Sequence, residues 1–175
     1  MCVIDGNSVF QLHAAGGSRV VGVDVDADQI DQATATRPSE TVGYLLGDVM
    51  GLDLDARFDL VTCYAALHHL GSEAVLRRLA ELTAPGGSLL VVGLTRRSTQ
   101  PVDAAWDLAR LLGIRLSSRR HPSLWEHGAP VAEPEETHAE LLRAASVITP
   151  GAVIRRRLYW RYSLVWRKPA VRPGR

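Results

Sequence analysis

With 175 residues, 46% hydrophobic and 22% charged, the chain has the size and balance of one domain able to bury a core. A formal net charge of +1 supplies no general attraction for nucleic acid, whose phosphates demand accumulated Lys and Arg, so a small-molecule partner is the simpler expectation. Cys2 and Cys63 lie too far apart in sequence to suggest a disulfide framework or a metal pair, and no signal-peptide pattern or bilayer-length apolar run is present, which predicts a soluble, cytoplasmic protein with no membrane contact.

Taken in chain order, Arg19-Val-Val-Gly-Val-Asp24 is a β-branched run ending in an acid, and a helix follows from Asp28 to Ala35. After a turn at Arg37-Pro38-Ser39, Val42 to Asp48 reads as a strand that again ends in an aspartate, and Phe58 to Cys63 as a third. Ser72 can cap a helix with Val75, Leu76, Leu79 and Leu82 at helical spacing, stopped by Pro85-Gly86-Gly87, and Ser88 to Gly93 is a fourth apolar strand. Apolar strands alternating with helices argue for a parallel sheet covered on both faces. From 95 to 134 the pattern loosens into an insertion with one amphipathic helix over Val102 to Leu112. A helix over Thr137 to Ala145, a turn at Pro150-Gly151 and a closing hairpin over Ala152 to Arg167 complete the domain. That hairpin turns near Tyr159 to Arg161 and places Tyr162, Leu164 and Trp166 on one face. The domain spans 1–169, and 170–175 reads as a basic tail.

Ligands of an open parallel sheet sit at the carboxyl ends of its strands, where strand order reverses. Asp24, Asp48 and the Cys63-Tyr64-Ala65 segment all lie at such ends. An acid just past the second strand can accept hydrogen bonds from both ribose hydroxyls of a nucleoside. The competing role for Asp24 is to cap the following helix, a task that Asp26 or Asp28 could perform instead. Asp48 could receive an adenine amino group, with Val25, Ile30 and Val49 against the ring faces.

The order of these segments resembles the class I S-adenosylmethionine-dependent methyltransferase family. Val-Val-Gly-Val-Asp24 is similar to its second strand and Leu-Gly-Asp48-Val to its third. Phe58-Asp-Leu-Val-Thr-Cys-Tyr-Ala-Ala-Leu-His-His-Leu70 resembles its fourth-strand motif. Leu79 to Gly93, with Ala84-Pro-Gly-Gly87, resembles the helix and fifth strand, and Leu158 to Pro169 the final hairpin of small bacterial members. The resemblance implies an α/β, Rossmann-like, doubly wound and mostly parallel sheet whose C-terminal strand runs antiparallel. It also implies S-adenosylmethionine as cofactor, with Asp24 on the ribose and Val25, Asp48 and Val49 around the adenine. The backbone at Cys63 and Tyr64 would meet the methionine end.

The likeness departs from the family at the front. An apolar strand, an acid and a Gly-x-Gly-x-Gly turn are expected there, and the chain offers Cys2-Val-Ile-Asp5-Gly6-Asn7-Ser8-Val9. Val3-Ile4-Asp5 is a remnant of that strand, and Gly16-Gly17 reads as a helix stop. This departure keeps open a second reading, a catalytically inactive methyltransferase-like binding module. A nicotinamide-dependent oxidoreductase would also place an acid after the second strand, but it leaves the Phe58 to Leu70 motif and the hairpin unexplained.

Four further features concern chemistry. His69 is the candidate base for accepting the acceptor's proton, while His68 is assigned to packing. His68, His69, His121 and His127 lack metal-ligand spacing, so no metal is expected. Arg119 to His127 form the candidate lid over the acceptor, and a solvated loop anchored by Trp125 is the alternative. Arg155-Arg156-Arg157 reads as alternating exposure on an edge hairpin, without nucleic-acid binding.

Overall fold

The computed structural model describes residues 2–3, 19–36, 41–54, 56–64, 72–96, 134, 136–157 and 161–170. In chain order its elements are β1 (Cys2–Val3), β2 (Val20–Asp24), α1 (Ala27–Thr36), β3 (Val42–Leu46), β4 (Phe58–Tyr64), α2 (Ser72–Leu82), β5 (Thr83–Leu94), α3 (His138–Ile148), β6 (Val153–Arg156) and β7 (Arg161–Arg167). The strands form one seven-stranded sheet in the order β3-β2-β1-β4-β5-β7-β6. The first five strands are parallel, and β7 runs antiparallel between β5 and β6. This is the α/β, Rossmann-like architecture the sequence implied.

The strand whose identity was weakest in the sequence sits at the centre. Cys2 pairs with Gly22 on one side and Thr62 on the other, and Val3 pairs with Cys63. Its described residues join the halves of the sheet, since Cys2 pairs on both sides. Cys2–Val3 is the described part of this strand; Ile4 and Asp5 of the expected Val3-Ile4-Asp5 remnant, and the stretch after them, lie outside the described residues.

Two right-handed crossovers leave the centre in opposite directions, β2-α1-β3 toward one edge and β4-α2-β5 toward the other, which places α1 and α2 on opposite faces. The main core lies under α2 and α3. Leu76, Leu79 and Leu82 of α2 meet Val61, Leu89 and Val91 of the sheet there, and Leu141 and Ala145 of α3 cover the β7 end. Tyr162, Leu164 and Trp166 all point into this core, as their alternation predicted. On the other face Val20 packs with Val42 and Tyr44.

Two boundaries differ from the sequence reading. β3 stops at Leu46 rather than Asp48: the Gly47 N–H makes the last rung, to the carbonyl of Asp24 at 2.7 Å, and Asp48 opens the turn in which its carbonyl accepts from Gly51 and Leu52. The fifth strand starts at Thr83, five residues before the expected Ser88, so Pro85-Gly86-Gly87 is not the helix stop. The end of α2 is satisfied earlier. Thr83 Oγ1 donates to the Leu79 carbonyl at 2.8 Å, and Lys168 Nζ donates to the carbonyls of Ala80 and Thr83, each at 2.8 Å. The residues after Thr83 form an irregularity in the ladder, since Phe58 pairs with Thr83 but Leu60 with Ser88. Gly87 is required there, because a Cβ would lie 2.9–3.1 Å from the carbonyl oxygens of Ala84, Asp59 and Phe58.

Lys168 reaches α2 from the far end of β7, so it staples the last turn of the helix to the hairpin. Lys168→Met keeps the apolar stem and removes the donors; it is expected to cost about 2 kcal/mol, the usual worth of a charge-assisted hydrogen bond. Thermal melting checks this, with a fall in Tm of roughly 4–8 °C expected for a chain of this length.

Candidate cofactor and acceptor site

The strand order reverses between β1 and β4, and the crevice belongs there, above the carboxyl ends of the parallel strands. The register sets its width. Val3 pairs with Cys63 and Cys2 with Gly22, so Tyr64 lies one residue and Asp24 two residues beyond the last β1 pairing on its side, at the same level on either side of that strand. Two strand spacings put their backbones about 10 Å apart.

Asp24 ends β2 and is 6% exposed. Its Oδ1 accepts from the Asp26 N–H at 3.0 Å, and its Oδ2 is buried with no partner among the described residues. Burial raises its carboxyl above the ordinary value, opposed by the Asp26 N–H and reinforced by the Asp26 charge. A buried carboxylate oxygen without a donor is costly in a folded chain and points to a ligand that supplies one. The helix-capping role falls instead to Asp26, whose Oδ1 accepts from the Asp28 N–H at 2.9 Å. That division of labour leaves Asp24 available to a ligand.

The other sequence-predicted residues divide by depth. Val25 follows Asp24 and is a large apolar side chain, 70% exposed. Asp48 is exposed, and its Oδ1 accepts from the Met50 N–H at 2.9 Å. Its carbonyl accepts from Gly51 and Leu52, which closes a tight turn. Val49 packs against the main core, and Arg78 of α2 holds the turn from below by donating Nε to the Val49 carbonyl at 3.2 Å and a terminal nitrogen to the Leu52 carbonyl at 2.7 Å. Sequence reasoning missed Arg78, since nothing in a helical pattern says which loop a long side chain reaches. Cys63 is a buried cysteine whose side chain lies in the core, whereas Tyr64 is 46% exposed. His69, His68 and the candidate lid at Arg119 to His127 lie outside the described residues, as does the helix expected over Val102 to Leu112.

A second buried polar atom lies on β7, four strands from Asp24. The Tyr162 hydroxyl is buried without a partner among the described residues, and burial, with Cys63 and Glu136 close by, pushes its phenol well above the ordinary value. Its ring lies across Gly93 of β5, the residue it pairs with. Beyond β5, Arg96 donates its N–H to the Glu136 carbonyl at 2.7 Å and bridges to Thr137, which opens α3 with a capping box. The Thr137 hydroxyl and N–H both bond Glu140 Oε2, at 2.8 and 2.7 Å, and hold the Glu140 carboxyl below its ordinary value.

The fold is that of a Rossmann-like protein with an acid, Asp24, at the end of its second strand. A methyltransferase-domain family model matches residues 2–87. An uncharacterized methyltransferase of Mycobacterium tuberculosis is 35% identical over 175 residues, covering 96% of this chain and 87% of its own, and one from Mycobacterium bovis matches to the same extent. The crystal structure of an S-adenosylmethionine-dependent methyltransferase from Mesorhizobium loti superposes with a TM-score of 0.65 at 16% identity, covering 95% of this chain and 90% of that one. Magnesium protoporphyrin IX methyltransferase from Synechocystis, solved with bound SAH, gives 0.60 at 17% identity, covering 95% and 73%. The chain belongs to the class I S-adenosylmethionine-dependent methyltransferase family. No helix among the described residues is long and apolar enough to cross a membrane.

Proposed function

We propose that this methyltransferase binds S-adenosylmethionine at the β1–β4 crevice and passes its methyl group to a small-molecule acceptor. The observation that carries the proposal is the buried, unpartnered Oδ2 of Asp24, which fits the ribose hydroxyls of the cofactor. When bound, the cofactor supplies a methyl group on a positively charged sulfur, already activated for in-line displacement.

The residues then have distinct tasks. Asp24 accepts from the ribose, and the exposed Asp48 keeps Oδ2 for the adenine amino group while Oδ1 closes its own turn. Val25 and Val49 cover the ring, Val49 fixed by the core and by Arg78. Backbone at Cys63 and Tyr64 lines the methionine end. His69 takes the acceptor's proton, a role that rests on its position in the fourth-strand motif. Positioning of the two reactants carries most of the rate.

The named substrate of the Synechocystis relative is a porphyrin, a small molecule, which supports the same acceptor class here. Isothermal titration with S-adenosylhomocysteine tests the first half of the proposal, with one site per chain expected. Absence of heat and of thermal stabilisation at millimolar ligand would refute it.

A further inference from the structure

Charge is distributed unevenly along the chain. Eight of its 20 Lys and Arg and none of its 19 Asp and Glu fall in residues 151–175, leaving residues 1–150 with 12 against 19, a net charge of −7. β6 and β7 hold most of the described part of that segment, and neither they nor β5 contain a carboxylate.

Strand alternation sorts these side chains. Tyr162, Leu164, Trp166 and Ile154 face the main core, so Arg161, Val165 and Arg167 of β7 and Val153 and Arg155 of β6 project from the opposite face. Val153 pairs with Val165, and Val165 with Leu90, making an apolar strip across three strands; Val153 is 52% exposed and Val165 49%. Arg167 flanks the strip on one side, Arg161 and Arg155 on the other, all three exposed. Among the described residues none of these three arginines forms an ion pair; the two ion pairs found lie on α2. Arg157 donates Nε to Ser163 Oγ at 3.0 Å and stays on the same side.

Arginines on an exposed edge commonly deter unwanted strand pairing. That accounts for β6 but not for β7, which is paired on both sides, so Arg161 and Arg167 guard no open edge. The flat strip is about 10 Å wide at ordinary strand spacing, the diameter of one helix with its side chains. An apolar centre inside a cationic frame suits a partner with apolar residues along one line and carboxylates beside it. Nucleic acid offers no such line, and short valines rooted in a sheet reach poorly into a bilayer.

We infer that the β5-β7-β6 face is a docking surface for an acidic amphipathic helix of a partner protein, with Val153, Val165 and Leu90 seating its apolar side and Arg155, Arg161 and Arg167 its carboxylates. The surface lies apart from Asp24, so its test does not depend on cofactor binding.

Fluorescence anisotropy of the full chain with a labelled 20-residue Leu/Glu amphipathic peptide provides the test, alongside its Leu/Gln counterpart, phosphatidylglycerol vesicles and a 20-base-pair DNA duplex. The acidic peptide is expected to bind, weakening at least tenfold between 50 and 300 mM NaCl. R155Q/R161Q/R167Q should weaken it tenfold or more. V153S/V165S should weaken it severalfold while leaving the salt dependence intact, with thermal melting confirming that both variants fold. Equal binding of the Leu/Gln peptide, no effect of the arginine or the valine variant, or tighter binding of the vesicles or the duplex would each overturn the inference.

Discussion

Asp24→Asn is expected to weaken S-adenosylhomocysteine binding about 100-fold while leaving the protein at least as stable as before. The first half follows from hydrogen bonds to a charged acceptor, worth roughly 1.5–3 kcal/mol each, so loss of the carboxylate costs about 3 kcal/mol. The second half follows from the cost that Asp24 already carries. Burial raises its carboxyl, so the folded chain binds that proton more readily than the unfolded chain does. The group's contribution to stability is therefore full below the ordinary carboxylate value and is lost as pH rises through the folded one. At neutral pH the buried charge is a net cost, which Asn removes. Cofactor affinity should move the other way, rising with pH as Asp24 ionises and gains its full power to accept. Titration calorimetry across that range, with melting curves on both proteins, checks the two signs together. A helix-capping Asp24 would instead leave both stability and binding intact in the Asn variant, since Asn caps a helix as well as Asp does. Asp26→Ala supplies the contrast: a loss of about 1 kcal/mol from the start of α1, as for other N-caps.

Gly93→Ala is the second large effect. A Cβ at this position would lie 2.6 Å from the Tyr162 hydroxyl oxygen and 2.7 and 2.8 Å from two carbons of its ring. The ring is fully buried over the β5–β7 pairing and cannot swing aside as a long flexible chain would. Overpacking of this kind costs about 1–3 kcal/mol, and the rigidity of the ring argues for the upper end. A loss of about 3 kcal/mol would appear in urea melts as a lower midpoint with an unchanged slope. Tyr162→Phe alone should be neutral or stabilising by about 1 kcal/mol, since it deletes a buried hydroxyl that has no partner. Tyr162→Leu in the Gly93→Ala background should recover part of the loss, and that non-additivity identifies the ring as the cause.

Several elements were legible in the sequence because their signals are local. The β-branched run ending at Asp24 is a strand of the expected length, helical spacing at Val75, Leu76, Leu79 and Leu82 marked the buried face of α2, and the helix expected from Thr137 matches α3, which Thr137 caps. Alternation in Tyr162, Leu164 and Trp166 predicted which side of the last strand meets the core. The parallel sheet followed from the order of those pieces, since strands alternating with helices have few other ways to bury both faces.

What sequence could not supply depends on partners distant in the chain. The front of the chain supplies the central strand because β2 and β4 each offered an edge to it, and the described run Cys2–Val3 carries no periodicity to read. The start of β5 at Thr83 depends on Lys168, 85 residues away in sequence, taking the helix carbonyls first. Whether Asp24 or Asp26 caps α1 was undecided by residue type, because either carboxylate can do it; the backbone path gave that work to Asp26 and buried Oδ2 of Asp24 without a donor. Residue chemistry by itself thus determined the strand, its terminal acid and the family it resembles. Only the packed structure decided which carboxylate oxygen is left without a donor among the described residues, because an unsatisfied group is defined by what surrounds it.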